Sequence, residues 1–394
     1  METLVALCGV GTEKVVANEL RKLKLPIRDA GIGRVRFQAD IPGCYRALLC
    51  LRAADRVLLE AANFPAGDFD ALFEGIRAVD WERYIPPNRG IRITKVRIGK
   101  SRLQSVTGVQ RAAHKAAAAR LCERYHCSRL PEGDGAAELR VYLEKDQASV
   151  LLDISGEPLF KRGYRTEGGI APLRETTAAA LILLSAWRRK FPLYDPFCGS
   201  GAIIIEAALY AWDAAPGLGR RFALSELSLG DSGIEKSLRE ELLGRVDFSR
   251  PVRIYGSDAD HRAIALAKSN MARAYALARG ETLDQGILNP PALPCLPAIR
   301  VLRMEDAAAP AGIPAGFIIT NPPYGKRLGA LAEAEAVYRS MANIGRRFPG
   351  WKLALITDHP GFESHFGKRA DSCREMTNGA LDSYFYQYEG RVCP

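Results

Sequence analysis

The stretch Leu193–Leu209, LYDPFCGSGAIIIEAAL, decides how the second half of this chain folds. An apolar run ends at Asp195, a short loop carries Gly199 and Gly201, and an apolar run then resumes. That is a strand, a tight loop and a helix. Glycine has no Cβ, so such a loop can take positive φ and let its backbone lie against a ligand. The acid says which ligand. A carboxylate beside a pyrophosphate is repelled, whereas one beside an ammonium or sulfonium is attracted. S-adenosylmethionine carries both cations and no phosphate, so it suits this loop better than a dinucleotide does. A purely structural strand–helix turn is the competing reading.

Working outward, strand-like and helix-like runs alternate from about Ala171: FPLYD, AIIIEAALYAW, PVRIYGSD, HRAIALAKSNMARAYALA, IRVLRMED, GFIITNPP, EAEAVYRSMANIGRRF and WKLALITD. A βαβα series predicts a parallel, doubly wound sheet. The closing run CREMTNGALDSYFYQYE differs, with two β-rich pieces around Asn378-Gly379, a dipeptide that tolerates a tight turn. An antiparallel hairpin should therefore complete the sheet. Asp258 ends the second strand, where an acid binds ribose hydroxyls. It lies fifty-seven residues past Gly201, so Asp213–Arg250 reads as an insertion. Asp260 suits a helix cap before His261. Asp306 follows the third strand and is a candidate acceptor for an adenine amino group, or else a solvated strand end.

The fourth strand runs into IITNPPYGKRL, Ile318–Leu328. This places Asn321-Pro322-Pro323-Tyr324 at the carboxyl edge of the sheet, where open α/β folds bind ligands. Prolines fix φ and lack N–H, so the turn is stiff and offers carbonyls. Asn321 adds an amide oxygen. With the Pro322 carbonyl it can hold both hydrogens of an exocyclic amine and aim the nitrogen lone pair at a methyl donor. Tyr324 can stack on a planar base, a contact that contributes about 1–3 kcal/mol. A second Asn-Pro-Pro at Asn289–Pro291 lacks an aromatic and a preceding strand, and reads as an irregular connection.

The first third mixes short strands and helices and predicts small α+β units with antiparallel sheets. GVGTEK, Gly9–Lys14, imitates a dinucleotide loop but has lysine where a third glycine belongs, which favours a plain turn. The chain has 394 residues and a formal charge of +10, which favours an anionic partner. From Arg89 to Arg129 there are eleven basic residues and one acid, Glu123, an excess equal to the charge of the whole chain. Arg97, Lys100, Arg102, Arg111 and Lys115 are the RNA-contact candidates within it, with a solvated helix face as the alternative. Lys161, Arg162 and Arg165 add charge near a domain junction, and Lys326 and Arg327 add it beside the tetrad. The nine cysteines form no CxxC pair and no zinc-ligand pattern, so no metal is expected and a reducing compartment is. The first residues read as a strand, a turn and a helix rather than as a signal peptide, and no run approaches a membrane span.

Taken together, Asp195–Gly201, Asp258 and Asn321–Tyr324 resemble the motifs of class I S-adenosylmethionine-dependent amino-methyltransferases. The segment GYRTEGGIAPLRETTAAAL, with NPPYGKRLG and NGAL, narrows the resemblance to the bacterial THUMP-domain RNA guanine-N2 methyltransferases. That family is related to the N-terminal half of the large-subunit rRNA guanine-N2 enzyme, and the resemblance covers nearly the whole chain. It implies a ferredoxin-like piece over residues 1–60, a THUMP RNA-binding domain over 61–165 and a Rossmann-like methyltransferase domain over 166–394. It further implies that Asn321, Pro322 and Tyr324 line the target-amine site. Asp195, Phe197, Gly199, Gly201, Asp258 and Asp306 would hold the cofactor. The expected activity is methylation of a guanosine N2 in the cytoplasm, with rRNA the favoured RNA and tRNA second. DNA adenine-N6 and protein glutamine-N5 methylation share the tetrad and stay open at this point. So does a non-catalytic RNA-binding or assembly role.

Overall fold

The structure, a computed structural model, describes every residue except 134, 166–172, 250, 282, 284–294, 325–329, 380 and 391–394. The Asn289–Pro291 connection, Lys326 and Arg327 therefore lie outside the described residues. Those described build two seven-stranded sheets.

The first sheet uses β1 (Glu2–Cys8), β2 (Ile27–Gly31), β3 (Arg34–Ala39), β4 (Ala54–Pro65), β5 (Ile91–Ile98), β6 (Ala137–Glu144) and β7 (Gln147–Asp153). Its helices are α1 (Glu13–Lys22), α2 (Ile41–Cys50), α3 (Phe69–Arg77) and α4 (Val106–Tyr125). The strand order is β2-β3-β1-β4-β7-β6-β5, antiparallel throughout except for the parallel β5–β6 pair. Period-two alternation sets the faces: Val35 and Phe37 of β3 and Leu139, Val141 and Leu143 of β6 are buried. They share one core with Val16 and Leu20 of α1, Leu72 and Ile76 of α3, and Val109 and Ala113 of α4. The β6–β7 hairpin turns at Lys145-Asp146, both at positive φ of 53° and 58°, as a two-residue turn with right-handed strand twist requires. The division expected at residue 60 from the family resemblance falls within β4, which pairs with β1 through one end and β7 through the other. The two pieces share a sheet.

The second sheet has the expected class. It is built from α5 (Glu175–Leu184), β8 (Leu193–Asp195), α6 (Ala202–Ala211), α7 (Ser232–Leu243), β9 (Ile254–Asp258), α8 (His261–Ala278), β10 (Ala298–Val301), β11 (Phe317–Thr320), α9 (Ala330–Met341), α10 (Ile344–Arg347), β12 (Lys352–Thr357), α11 (Phe362–Phe366), β13 (Ser372–Asn378) and β14 (Leu381–Tyr388). The order is β10-β9-β8-β11-β12-β14-β13. The first five strands are parallel, and β14 runs antiparallel to both β12 and β13. Asn378 is the last residue of β13, paired with Leu381, and the hairpin turns just after it, with Gly379 at φ 68°. Strand order reverses between β8 and β11, so their carboxyl ends frame the crevice where such sheets bind ligands.

Three features tie the halves together. The insertion after α6 leaves its own sheet and packs on the N-terminal domain. Phe222, Leu224, Leu238 and Leu242 belong to the first core, Gly217 N–H donates to the Leu49 carbonyl at 2.9 Å, and Arg46 pairs with Glu241 at 2.9 Å. The Gly9–Thr12 turn docks on β13. There Thr377 N–H donates to the Val10 carbonyl at 3.1 Å, and a Cβ on Gly11 would sit 2.4 Å from the Glu375 carbonyl oxygen. Close backbone approach accounts for that glycine (φ 86°), as the plain-turn reading requires. Finally, Arg162 is no surface charge. It is 3% exposed, faces Glu206 at 3.4 Å and donates to the Leu159 carbonyl at 2.7 Å. Arg165 is held by Glu175 at 3.3 Å. Two of the three junction cations are therefore structural, and only Lys161 stands in solvent, beside Glu157.

Candidate active site

Asp195 closes β8 and is 1% exposed. Its Oδ1 accepts from the Phe197 N–H at 3.1 Å and from the Thr320 hydroxyl at 2.6 Å. Among the described residues no lysine or arginine pairs with it. Burial pushes its carboxyl up to about 7; the two hydrogen bonds pull the other way, and Asp258 adds repulsion.

The loop after it is folded by main-chain bonds. Cys198 N–H donates to the Ser257 carbonyl at 2.9 Å, and Gly201 N–H to the Cys198 carbonyl at 2.7 Å. Gly199 N–H donates to Asp258 Oδ2 at 3.0 Å, so the second acid seats the loop from the neighbouring strand. Both glycines need their identity: φ is 50° at Gly199 and 91° at Gly201, where α6 begins. A Cβ on Gly199 would meet none of the described residues within 4 Å, so the loop's outer side is open to a ligand. Asp258 Oδ1 accepts from Asp260 N–H at 3.0 Å, and Asp260 in turn caps α8 through the Arg262 N–H at 2.8 Å. Phe197 is half-buried against the cluster that holds Tyr194, Met304 and Ile318. Asp306 ends a short 3-10 turn, Met304–Asp306, and is exposed; its carboxylate makes no hydrogen bond to the loop. Two acids with no cation partner among the described residues, beside an open glycine loop, are what a cationic cofactor needs, and S-adenosylmethionine fits them.

Thr320 joins this loop to the tetrad. It ends β11, next to β8, and its hydroxyl on Asp195 puts Asn321 beside the acid at the reversal point. Asn321 is half-buried, Pro322 buried, Pro323 exposed and Tyr324 half-buried. The Tyr324 hydroxyl donates to Asn321 Oδ1. Burial raises the Tyr324 phenol well above its ordinary range, so it is a neutral donor. Nothing among the described residues donates to the Pro322 carbonyl, whereas the Pro323 carbonyl accepts from Tyr338 of α9 at 2.9 Å.

Beyond the tetrad, Glu335, His359 and His365 bring three possible ligand atoms within 4.8 Å. Hydrogen bonds account for the cluster. His359 Nδ1 accepts from Gly361 N–H at 3.1 Å, and His365 Nδ1 faces Arg339, which can only donate, at 3.2 Å. In the neutral rings the proton therefore sits on each Nε2, and both point at Glu335.

The basic run from Arg89 to Arg129 does not stay together in space. Arg89, Arg102, Arg120, Arg124 and Arg129 are paired with Glu226, Asp146, Asp80 and Glu82, Glu82, and Glu132. Arg92, Lys95, Arg97, Lys100, Arg111 and Lys115 are exposed, with no acid partner among the described residues. These six divide again. Ile91 and Ile93 of β5 face α4, so Arg92, Lys95 and Arg97 project from the opposite face, where Lys95 lies beside Arg140 and Arg97 beside Tyr142. Arg111 and Lys115 stand on α4 itself. Sequence reasoning named Asn321, Tyr324 and the acids. It missed Thr320 and Tyr338; only Thr320's place directly before Asn321 offered a signal.

Residues 162–285 and 299–387 match the family described as RMKL-like, methyltransferase domain, and residues 3–58 match the RlmL ferredoxin-like domain. The whole chain is 35% identical to the Bacillus subtilis (strain 168) protein named "Putative RNA methyltransferase YpsC", covering 97% of it. Over 96% of its length it is 32% identical to the ribosomal RNA large subunit methyltransferase K/L of Syntrophotalea carbinolica, and it spans 52%, about half, of that protein. Among solved structures, "SMU.472, a putative methyltransferase complexed with SAH" is 34% identical, with TM-score 0.86 over 99% of this chain and 98% of that one. A Listeria monocytogenes protein named as a predicted N6-adenine-specific DNA methylase is likewise 34% identical, with TM-score 0.86 over 99% of this chain and 96% of that one. The chain belongs to the RMKL-like methyltransferase family, whose cofactor is S-adenosylmethionine.

Proposed function

We propose that this chain transfers a methyl group from S-adenosylmethionine to the exocyclic N2 of a guanosine in RNA, with large-subunit rRNA the first candidate and tRNA the second. The observation that carries the reading is the Thr320–Asp195 hydrogen bond of 2.6 Å, which locks the acid of the cofactor loop to the strand that ends in Asn321. Donor and acceptor sites then share one crevice. The cofactor, when bound, supplies a methyl group on a sulfonium that departs as a neutral thioether.

The chain's own residues position the amine. Asn321 Oδ1 and the Pro322 carbonyl accept its two hydrogens, which draws the nitrogen lone pair out of conjugation and toward the methyl carbon. The amine takes the place of the Tyr324 hydroxyl on Asn321 Oδ1, and the freed ring stacks on the base. No strong base is needed before attack, because the nitrogen loses its proton once the new N–C bond has begun to form. A guanine stacked in a helix cannot reach this crevice, so the target is unpaired or flipped out.

In this reading residues 61–165 serve as the THUMP-type RNA-binding domain beside the ferredoxin-like piece, and the exposed cations of β5 and α4 contact phosphates. No helix among the described residues is long and apolar enough to cross a membrane, and a cytoplasmic site of action fits an RNA substrate.

The rival is adenine-N6 methylation of DNA, favoured by the shared tetrad and by the name of one structural neighbour. Labelled S-adenosylmethionine offered separately with undermodified rRNA, tRNA, DNA and release-factor protein decides between them. Label at guanine N2 of an RNA is expected; label on adenine N6 or on a glutamine overturns the reading. Asn321→Ala should lower turnover by about 10²–10³, the usual cost of deleting one preorganised polar contact to the reacting group, with cofactor affinity retained. Full activity in that variant would end the amine-gripping role.

A further inference from the structure

The Asn-Pro-Pro-Tyr turn has a stability problem written into its composition. Pro322 and Pro323 have no N–H, so neither can anchor the turn by donating. Their carbonyls are the only main-chain handles left, and one of them, on Pro322, is reserved for the target amine in the proposed chemistry. Something must hold the other.

We infer that Tyr338, on α9, is the positioning residue that fixes the catalytic turn, and that it is itself oriented by Thr357 at the end of β12; the inference rests on the reading of Asn321 and Pro322 given above. The geometry assigns every proton. Tyr338 and Thr357 are both 0% exposed, so both hydroxyls are shielded from water. Tyr338 Oη lies 2.9 Å from the Pro323 carbonyl oxygen and 3.0 Å from Thr357 Oγ1. A carbonyl can only accept, so the single phenolic proton goes to Pro323. The Thr357 proton must then go to Tyr338. Thr357 Oγ1 accepts in turn from the His359 N–H at 3.1 Å.

The result is a one-way relay: His359 N–H to Thr357, Thr357 to Tyr338, Tyr338 to Pro323. Each donor polarises the next, which strengthens the terminal bond on the turn. The ring is clamped edge-on by His359 at 5.6 Å and by Phe362 at 5.0 Å, so the hydroxyl has little freedom to leave. Burial pushes the Tyr338 phenol up to about 12, which keeps the proton that the relay needs. The relay reaches from the fifth parallel strand across α9 to the turn after the fourth, and so sets where Asn321 sits relative to the cofactor loop.

Tyr338→Phe removes the donor and keeps the ring; Thr357→Val removes the second donor at equal volume. Tyr338→Phe should lower kcat for RNA methylation about 10- to 100-fold, with the cofactor Kd within twofold of wild type and a Tm that stays close to it. Thr357→Val should lower kcat about 3- to 10-fold. The double variant should be no slower than Tyr338→Phe alone, because the two act in series. A Tyr338→Phe enzyme within twofold of wild-type kcat overturns the proposal, as do rate losses that multiply in the double variant. Crystal structures of wild type and Tyr338→Phe form a separate arm that needs no substrate. Displacement of the Asn321–Tyr324 turn is expected, and a turn that stays in place overturns the relay. A wild-type protein that methylates no RNA would remove the functional reading, yet this second arm would still judge the relay.

Discussion

Asp153 and Asp195 make an instructive pair. Each ends a strand and each is 1% exposed, one in the N-terminal sheet and one in the catalytic sheet. Asp153 Oδ2 is gripped by Arg56 and Arg140, the second at 3.2 Å. Asp195 receives a hydroxyl and a main-chain N–H, and no cation among the described residues. A buried carboxylate costs several kcal/mol unless its charge is met. The first sheet meets that charge from within the chain, so Asp153 is a structural element. The second sheet leaves it unmet, and the carboxyl responds by holding its proton up to about pH 7. An acid kept buried and unpaired is a site fitted to a positive ligand. The neighbouring loop is open on the Gly199 side, among the described residues, and is where we propose that ligand lies.

Replacing each acid by asparagine tests the contrast directly. Asp153→Asn leaves two guanidiniums, 18% and 13% exposed, without their counter-charge, and should destabilise the fold by about 3–5 kcal/mol. Denaturant melts measure it. Asp195→Asn should leave the free protein at least as stable as wild type at pH 8, because it removes an unpaired buried charge. Its loss appears in the cofactor instead: affinity should drop by about 1.5–3 kcal/mol, roughly ten- to a hundredfold, the worth of a charged hydrogen-bonded contact. Calorimetry with S-adenosylmethionine reads this. The comparison breaks if the two variants exchange behaviours.

A subtler consequence follows from pH. The Asp195 carboxyl is raised above its unfolded value, so the folded chain binds the proton more tightly than the unfolded one. Its contribution to stability is therefore greatest at low pH and is lost as pH rises toward about 7. The cofactor has the opposite preference, because its sulfonium and ammonium favour the ionised form. Affinity should tighten as pH rises from 6 to 8, approaching tenfold per unit on the acid side and levelling once Asp195 is ionised. The Asp195→Asn protein should show no such slope, and a wild-type affinity that is flat across this range would mean that Asp195 is ionised without the ligand.

How much of this was legible before the fold depends on distance along the chain. Asp195, the two glycines and the helix after them are consecutive, so strand, loop and cofactor chemistry could be read from seventeen residues. Asn321–Tyr324, to which the proposed amine site is assigned, are likewise consecutive. Arg162 could not be placed, because its partner Glu206 is 44 positions away and nothing near the junction hints at burial. The composition of residues 213–250 exposed an insertion without revealing that it grips the N-terminal core. Gly11 imitated a nucleotide loop for a reason that lies in β13, at the far end of the chain. Thr320 and Tyr338 are ordinary strand and helix residues until folding brings them to the crevice. Local pattern reveals which chemistry is present; long-range pairing decides which charges are free to take part.

That last distinction bears on RNA and gives the smallest expected effect. By sequence, Arg97, Lys100, Arg102, Arg111 and Lys115 are the RNA-contact candidates among the eleven cations between Arg89 and Arg129, with nothing to show which of the eleven are paired. By structure, Arg120 is held between Asp80 and Glu82, and Arg129 by Glu132, so each brings its own counter-charge to a phosphate. Neutralising Arg92, Lys95 and Arg97 together should flatten the dependence of log K on log salt by about 2, given roughly 0.7 per phosphate contact on a single strand. Arg120→Gln with Arg129→Gln should change that slope by less than one contact's worth. The α4 pair supplies the finer test, since Arg111 and Lys115 stand on the helix side of the sheet and the β5 trio on the other. If RNA lies against one face, only one of the two groups moves the slope. Equal changes from both would mean that the strand passes over the edge at β5, with Lys100, just past the strand's end, as the cation between them.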